Sequence, residues 1–385
     1  MISAVEFYKN WSKLKLKFSN STELENEKLN TVLLNSENNP ISSDYINYAN
    51  FKIIDTNFKI HASFTQKNFN LSATNKIEYN HLSFNDKYKN RFVLLLDTNL
   101  KYKFNKKNSL NFNYNENLIT PKLNQLYEGF VLNSFRNINN NQSILDYIKT
   151  RNGRLSYNLN DIYNTFTSSF GVGYSHSDKG YYQSNAITND ITFLRTVLLN
   201  LGNDRFYFDF NADKLIPFLK TTVKINTSYS KFSSFNFIND SELRTIKSEA
   251  VDLDLLLYTG FKTKLNYTNN IKIQSNFFEI NNSNTALTQI KNEFKIIYKI
   301  SDKNNFNCQL QTFIPDSERN VSYNFLNFEI THKFLKQNIE TYLKCQNLFN
   351  ITTYEDRFIS DFGSSFYSYN LQERFLLLGI VCKVL

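Results

Sequence analysis

The chain has 385 residues, a net charge of +9, 24 Tyr, 36 Phe and one Trp, and its mean hydropathy is −0.45. It contains no run of about 18 apolar residues, so a membrane-spanning helix is excluded. No Pro/Gly/Ser-rich linker or shift in composition marks a boundary, so we predict one domain over residues 1–385 rather than several soluble domains. The lysines are scattered rather than clustered, which disfavours nucleic-acid binding.

In chain order, the first clear pattern is alternation of apolar and polar residues in segments 54–64, 69–79 and 91–104. Successive side chains of a strand point to opposite faces, so each segment predicts a strand with one apolar and one polar face. In the clearest segment, the apolar side carries Phe92, Leu94, Leu96, Leu100, Tyr102 and Phe104, and the polar side carries Arg91, Asp97, Asn99, Lys101 and Lys103.

The same alternation returns in segments 264–277 and 290–299, and no segment of comparable length has apolar residues at helical spacing. The fold class predicted is therefore all-β. Strands that cross a bilayer must close on each other, and an aromatic-rich, alternating, polar chain is typical of such barrels. We predict a transmembrane antiparallel up-and-down β-barrel with about 16 strands, present whole or as an incomplete part of a larger barrel. Residues 191–210 form either one long strand or a hairpin turning at Gly202 and Asn203.

The connections between the predicted strands fall into two classes. Short turns are expected near 105–108, 158–161, 301–304 and 335–338, and longer connections at 118–150, 177–189, 232–246, 315–320 and 349–368. Outer-membrane barrels have short periplasmic turns and longer external loops. This asymmetry predicts the outer membrane of a Gram-negative cell.

No motif for catalysis is apparent. His176 and Asp178 could form an acid–base pair, but no nucleophile or third group accompanies them, so a solvated loop is favoured. Asp252 and Asp254 share a face and could bind a cation, although ordinary counter-charges in a wet interior are favoured. The cysteines fall on apolar faces without the paired ligands of a metal site; they are Cys308, Cys345 and Cys382. We predict no enzyme activity, no cofactor and no metal.

Aromatic residues of the last long connection are candidates for ligand contact, because loops on a rigid scaffold commonly carry recognition. They could equally pack against neighbouring loops, and the sequence does not choose between the two. These candidates are Phe358, Phe362, Phe366 and Tyr367.

Two segments carry a resemblance to a known family. Residues 345–350 (CQNLFN) and 369–380 (YNLQERFLLLGI) resemble the close of a TonB-dependent outer-membrane receptor, in which an NLFN strand end and an external loop precede the last strand. Residues 119–127 (ITPKLNQLY) resemble the T-P-S-L-x-Q-L segment at which an external loop begins in Bacteroidota members. The matching residues are Thr120, Pro121, Leu123, Leu126, Asn347, Leu348, Phe349, Asn350, Arg374 and Gly379.

The sequence also departs from the family pattern. Glu373 stands where the family usually has Pro, and Val384 and Leu385 replace its terminal aromatic residue. The segment before Asn20 has no room for the family's plug domain or TonB box, and the family barrel has more strands than we count. The expectation is therefore the C-terminal part of a receptor barrel, arising as a fragment, a split gene or a degenerate copy.

The resemblance implies an importer that binds a nutrient ligand and passes it through loops and lumen. Its implied partners are membrane lipid, the nutrient ligand and, through parts outside this chain, the TonB complex and a surface lipoprotein. Two alternatives stay open: a self-contained, porin-like passive channel and a soluble carbohydrate-binding β-sandwich. Siderophore, glycan, peptide and vitamin ligands all remain candidates.

Overall fold

The computed structural model describes residues 2–239, 241–280, 283–319, 321–334, 339–360 and 363–382. Within these ranges no helix is long and apolar enough to cross a membrane. Three short 3-10 helices are present, at Ser43–Tyr45, Leu123–Gln125 and Ser317–Arg319. The chain divides into two compact units. Unit 1 is Met1–Tyr157, Gly171–Phe206 and Phe232–Lys247, and unit 2 is Asn158–Phe170, Tyr207–Lys231 and Ser248–Leu385.

The first twelve strands lie before residue 200. They are β1 (Ile2–Asn10), β2 (Leu14–Val32), β3 (Ile46–Gln66), β4 (Phe69–Phe84), β5 (Lys87–Lys103), β6 (Asn108–Ile119), β7 (Val131–Ser134), β8 (Asn137–Asn139), β9 (Ile148–Asp161), β10 (Phe166–Ser177), β11 (Gly180–Ile187) and β12 (Thr192–Leu199).

The remaining strands follow in the second half. They are β13 (Asn203–Ile216), β14 (Thr221–Ile238), β15 (Arg244–Thr259), β16 (Leu265–Ile280), β17 (Ser283–Lys299), β18 (Asn304–Ile314), β19 (Tyr323–Phe334), β20 (Ile339–Gln346), β21 (Thr353–Ser360), β22 (Gly363–Asn370) and β23 (Phe375–Cys382).

In unit 1, strands β1 to β6 form an antiparallel meander in which each strand pairs with the next. The register places Phe58 opposite Ile77, and Ile77 opposite Leu94, so apolar residues form a row across three strands. Directly opposed residues lie on the same face of a sheet. The other face carries the matching polar row of Asp55, Asn80 and Arg91.

The buried core of unit 1 lies on the polar face, at one end of the meander. Strand β3 carries apolar residues at even positions in its second half but at odd positions, including Phe51 and Ile53, in its first half. Because of this change of phase, Phe51 and Ile53 form an apolar patch on the face that is otherwise polar. Residues of the connection after β6 complete a cluster of Ala49, Phe51, Ile53, Leu82, Phe84, Leu126, Tyr127 and Tyr147.

In unit 2, strands β16 to β20 continue as an antiparallel meander, and β20 pairs with the last strand β23. One cross-strand row on the apolar face runs through Ile296, Cys308, Phe328, Cys345 and Leu376. The prediction that Cys308 and Cys345 occupy apolar-face positions is therefore confirmed. Strands β21 and β22 form a separate hairpin within the last long connection.

The all-β prediction, with antiparallel up-and-down connectivity of the barrel type, is confirmed by these successive pairings. The predicted count of about 16 strands is wrong, because the described residues form 23 strands. The excess arises mainly in connections predicted as loops, where β7, β8, β11, β21 and β22 use backbone hydrogen bonds that the side-chain pattern does not reveal.

The structure also decides two local predictions. Residues 191–210 form two strands, β12 and β13, separated at 200–202, so the alternative with a break near Gly202 is correct and the single long strand is wrong. Strand β12 pairs with β11, and β13 pairs with β10. The turn predicted at 158–161 lies at 162–165, because β9 extends to Asp161. The turn predicted at 335–338 lies outside the described residues.

Candidate ligand site

The connection between β6 and β9, residues 120–147, packs on the polar face of unit 1, and we call it the covering segment. Leu126 and Tyr147 in this segment are fully buried against the apolar patch that includes Phe51 and Leu82. Burying a side chain of this size stabilises by about 2 kcal/mol. The segment is therefore a packed part of unit 1 rather than a free loop.

Charged groups fix the covering segment to the strands beneath it. Lys87 Nζ on β5 lies 2.7 Å from Oε1 of Glu128. Asp146 forms ion pairs with Lys89, at 2.7 Å, and with Lys179 at the start of the next connection. Arg91 donates a hydrogen bond to the carbonyl oxygen of Tyr147 at 3.3 Å.

Asp146 has a shifted pKa for a clear reason. Burial alone raises the pKa of its carboxyl group, but hydrogen bonds from Lys179 and Lys89 outweigh burial and hold the pKa below its ordinary value of 3.8. The carboxylate therefore stays ionised at neutral pH and can hold both lysines.

A cavity of about 750 Å³ lies between strands β2 and β3 and the first turn of the covering segment. We call it the rim chamber. Its charged lining residues are Glu25, Glu27 and Lys122. Most of the rest is apolar, and includes Leu29, Phe51, Ile53, Leu118, Pro121, Leu123 and Tyr127. A pocket of this size with few polar groups has the form of a small-molecule site.

The T-P-K-L-N-Q-L residues form the outer lining of the rim chamber. Thr120, Pro121 and Leu123 line it, and Pro121 is buried. Leu126 lies in the adjacent core. Backbone N–H of Lys122 donates to the Gln125 side chain at 2.9 Å, which closes the short 3-10 turn. The sequence motif therefore marks the place where the chain leaves β6 and folds over the polar face.

The N-L-F-N residues stabilise the end of β20. Asn347 has a positive φ of 54°, and its side-chain amide donates to the carbonyl oxygens of Ile351, at 2.7 Å, and Gln372, at 3.0 Å. Its side-chain oxygen accepts from the backbone N–H of Ile351 at 2.9 Å. The asparagine therefore joins both ends of the last long connection.

Asn350 supports the same junction. It also has a positive φ, 58°, and its side-chain oxygen accepts from the backbone N–H of Arg374 at 2.9 Å. Leu348 and Phe349 between the two asparagines are exposed. The Arg374 side chain is exposed as well. Arg374 therefore contributes to this junction through its backbone N–H.

Gly379 lies directly opposite Tyr342 in the β20–β23 pair. A Cβ atom at Gly379 would overlap the Tyr342 ring, so the glycine lets the ring lie across the last strand. The ammonium group of Lys344 is 4.9 Å from the centre of that ring. Packing of the Tyr342 ring therefore explains why position 379 is a glycine.

The aromatic candidates of the last connection separate into two groups. The Phe366 ring packs against two guanidinium groups, Arg319 at 4.1 Å and Arg357 at 5.6 Å from its centre. Phe358, Phe366 and Tyr367 are all exposed, at 60%, 48% and 50%, so the contact with arginine rather than burial distinguishes Phe366. Phe362 lies outside the described residues.

A buried ion pair docks the β21–β22 hairpin on the connection after β18. Asp316 is 1% exposed, and its Oδ2 is 2.6 Å from Nη1 of Arg357. Gln289 on β17 also donates to Asp356 at 3.0 Å. The hairpin is therefore held in place, and the Phe366 ring lies against the arginine of this ion pair while remaining partly open to solvent.

His176 and Asp178 are joined by a third group that the sequence spacing did not reveal. His176 Nε2 lies 3.0 Å from Asp178, and its Nδ1 lies 2.7 Å from Asp204 on β13. Arg151 in turn lies 3.0 Å from Asp178. These strand-end groups flank the connections, outside the central strand residues expected to cross a membrane. The sheet pairing of β10 with β13 brings Asp204 here.

This arrangement shifts the pKa of the imidazole. Hydrogen bonds to Asp204 and then to Asp178 raise the pKa of His176 above its ordinary 6.5. Both ring nitrogens of His176 are therefore held by carboxylates, those of Asp204 and Asp178. Its chemistry fits an electrostatic contact between strands.

Asp252 and Asp254 have partners of their own. Asp252 accepts from Gln274 at 3.0 Å and from Ser228 at 3.3 Å, while Asp254 lies 3.6 Å from Lys272. Across the described ranges, no group of three or more His, Cys, Asp or Glu residues could hold a metal ion. Asp254 therefore has a counter-charge in Lys272, whereas the groups that donate to Asp252 are neutral.

The chain was compared with known proteins. No protein-family model matches it, and no curated protein matches it. Among solved structures it is similar to the copper transporter OprC, with 9% identity and a TM-score of 0.47 over 90% of this chain and 60% of that one. The chain thus spans 60% of that protein's length.

Two further similar structures are transporters or receptors by their descriptions. The FrpB iron transporter from Neisseria meningitidis (F3-3 variant) has 9% identity and a TM-score of 0.38, over 98% of this chain and 70% of that one. The ferric yersiniabactin uptake receptor FyuA from Yersinia pestis has 10% identity and a TM-score of 0.36, over 98% and 69%.

Proposed function

We propose that the chain forms a transmembrane β-barrel in the outer membrane of a Gram-negative cell. We further propose that it acts as the barrel of a TonB-dependent receptor-like importer, which binds a nutrient ligand at loops and lumen and passes it inward. The observation that carries this proposal is that unit 1 exposes apolar side chains on one face of its sheet and buries polar side chains on the other. Phe92 and Leu94 are 71% and 57% exposed, whereas Glu78 and Asn80 on the opposite face are 5% and 0% exposed.

This distribution suits a strand between lipid and a polar interior. Water-soluble sheets bury their apolar face, and large exposed apolar surfaces mark contact with a membrane or partner. Apolar residues of the last strand are likewise exposed, since Leu376, Leu378 and Ile380 are 66%, 75% and 66% exposed. A soluble β-sandwich would have packed these rows against a second sheet.

An importer is favoured over an open pore by the covering segment. It places apolar and charged side chains on the polar face, where a passive channel keeps water-filled space. The rim chamber beneath it offers a binding cavity beside the two exposed carboxylates Glu25 and Glu27. Import by such a barrel requires partners, which we propose to be the TonB complex and a surface lipoprotein.

Two measurements test this proposal. The chain, expressed with an outer-membrane signal sequence, is expected in the outer-membrane fraction and should migrate faster unboiled than boiled in SDS gels, because a closed barrel resists SDS. A chain that stays soluble without detergent would contradict the membrane assignment. In planar bilayers we expect closed or low-conductance insertion events. A steady, fully open pore would instead support the porin alternative.

The relation to a longer receptor has its own test. We propose that the chain corresponds to the C-terminal part of a Bacteroidota-type receptor barrel, with its plug encoded alongside. An in-frame plug domain in the DNA immediately upstream would support this relation. An unrelated gene there, together with a complete barrel by mass and heat shift, would contradict it.

A further inference from the structure

The rim chamber combines a large apolar surface with unpartnered acidic groups. Glu25 and Glu27 lie directly opposite Ile53 and Phe51 in the β2–β3 pair, so both carboxylates stand on the face that the chamber occupies. In the described part of the chain, neither side chain forms an ion pair or a side-chain hydrogen bond. Their negative charge is therefore available to a ligand.

The charge of the chamber opposes that of the chain. Its charged lining residues are two glutamates and Lys122, which give a net charge of −1 in a protein of net charge +9. Lys122 makes no ion pair with either glutamate among the described residues. Glu23 and Asp55, directly opposite each other, continue the acidic face beyond the chamber. An anion entering this site would meet the carboxylates of Glu25 and Glu27 on β2.

The apolar lining defines the rest of the ligand. Leu29, Phe51 and Ile53 come from the strands, and Leu118, Pro121, Leu123 and Tyr127 come from the end of β6 and the covering segment. A hydrated metal ion would leave this surface facing water, and the chamber lacks the convergent donors that strip such an ion of its water. A ligand with an apolar body fills it.

We propose that the rim chamber binds an organic cation with an apolar or aromatic body, its positive group at Glu25 and Glu27 and its body against Phe51, Leu29 and Leu123. This inference deepens the proposed importer function, on which it rests, by assigning the chemical class of the ligand. The covering segment forms the outer side of the site, so ligand and segment stabilise each other.

Binding is measured on the full chain in maltoside micelles by NMR titration, with empty micelles as the blank. The probe is benzyltrimethylammonium, whose charge does not titrate, and benzylsulfonate is the matched anion. We expect saturable binding of the cation and none of the anion. Anion binding as tight as cation binding, or no saturable cation binding, overturns the assignment.

Charge variants test the position of the site. Glu25→Gln with Glu27→Gln should raise the cation Kd about tenfold, and Lys122→Gln should lower it about threefold, from Coulomb terms of this size near a protein surface. Glu37→Gln, in an exposed connection of the same unit, is the matched control and should leave the Kd unchanged. A change below twofold in the double variant overturns the proposal.

Failure of the site is distinguishable from failure of the importer function. Each preparation is also run unboiled in SDS gels, where the heat shift reports the barrel independently of any ligand. A heat shift without cation binding refutes the ligand class alone. Cation binding without a heat shift refutes the proposed barrel, while the ligand class assigned to the rim chamber is retained.

Discussion

The Nδ1 atom of His176 lies 2.7 Å from Oδ1 of Asp204, although 28 positions separate the two residues in the chain. Asp178 holds the other ring nitrogen, and Arg151 holds Asp178. The imidazolium form is thus stabilised from both sides by carboxylates.

The first prediction concerns the titration of this group. Because the pKa of His176 is raised, its contribution to stability is fully present below the ordinary value of 6.5 and is lost as the pH rises through the folded-state pKa. The pKa values of Asp178, mainly through Arg151, and of Asp204, mainly through Tyr174, are lowered, so their contribution is lost as the pH falls below 3.8. Stabilisation should be greatest between these limits.

NMR of isotope-labelled histidine measures this directly, since the chain has four histidines. Asp204→Asn should lower the His176 pKa, and should do so more than Asp178→Asn, because the Asp204 hydrogen bond is the larger cause. An unchanged His176 pKa in Asp204→Asn would show that the pair does not form.

A second prediction concerns Asn347, which combines a positive φ with three side-chain hydrogen bonds. Asn347→Ala should reduce the free energy of unfolding by about 3 kcal/mol through lost hydrogen bonds and backbone strain. Asn347→Gly tolerates the φ angle and should cost about 1 kcal/mol less than alanine. Urea unfolding of the refolded chain in micelles measures both; equal losses in the two variants would argue against the strained conformation.

A third prediction concerns the docked hairpin. Arg357→Met leaves Asp316 buried without its close partner and should destabilise the contact by about 3 kcal/mol. Limited proteolysis should then cut residues 353–370 faster than in the unmodified chain. Adding Asp316→Asn to the same variant removes the uncompensated charge and should slow cleavage again. Cleavage that Arg357→Met does not accelerate would show that other contacts hold the hairpin.

A fourth prediction concerns the covering segment. Asp146→Asn removes the charge that holds Lys89 and Lys179, so the segment should leave the polar face more often. In planar bilayers this variant should show larger or more frequent conductance steps than the unmodified chain. Glu37→Gln removes a carboxylate from another connection and serves as control. Identical conductance for all three proteins would place the segment away from the permeation path.

Much of the fold could be predicted from side-chain alternation, because a strand with one apolar and one polar face has apolar residues at every second position. Residues 91–104 are the clearest example, and most of them form β5 as predicted. The strands within the long connections were not predicted. Their pairing, as between β11 and β12, depends on backbone hydrogen bonds and on neighbours far away in the chain.

The candidate site was only partly visible in the sequence. The T-P-K-L-N-Q-L motif marks the start of the covering segment, but nothing in it shows that the segment packs on β3 and β4. A signal was present in β3, where the apolar positions change phase between Ile53 and Ile54. Asp204 could not be connected with His176, because sheet topology alone brings them together.

In the proposed barrel, the exposed row of Phe92 and Leu94 faces lipid. Spin labels at Leu94→Cys and, on the opposite face, Asn99→Cys test it in proteoliposomes, after Cys308, Cys345 and Cys382 are replaced by serine or alanine. We expect oxygen, and hardly a water-soluble nickel complex, to relax the label at 94, and we expect the label at 99 to show the opposite preference. Equal access of the nickel complex to both labels would contradict a lipid-facing row.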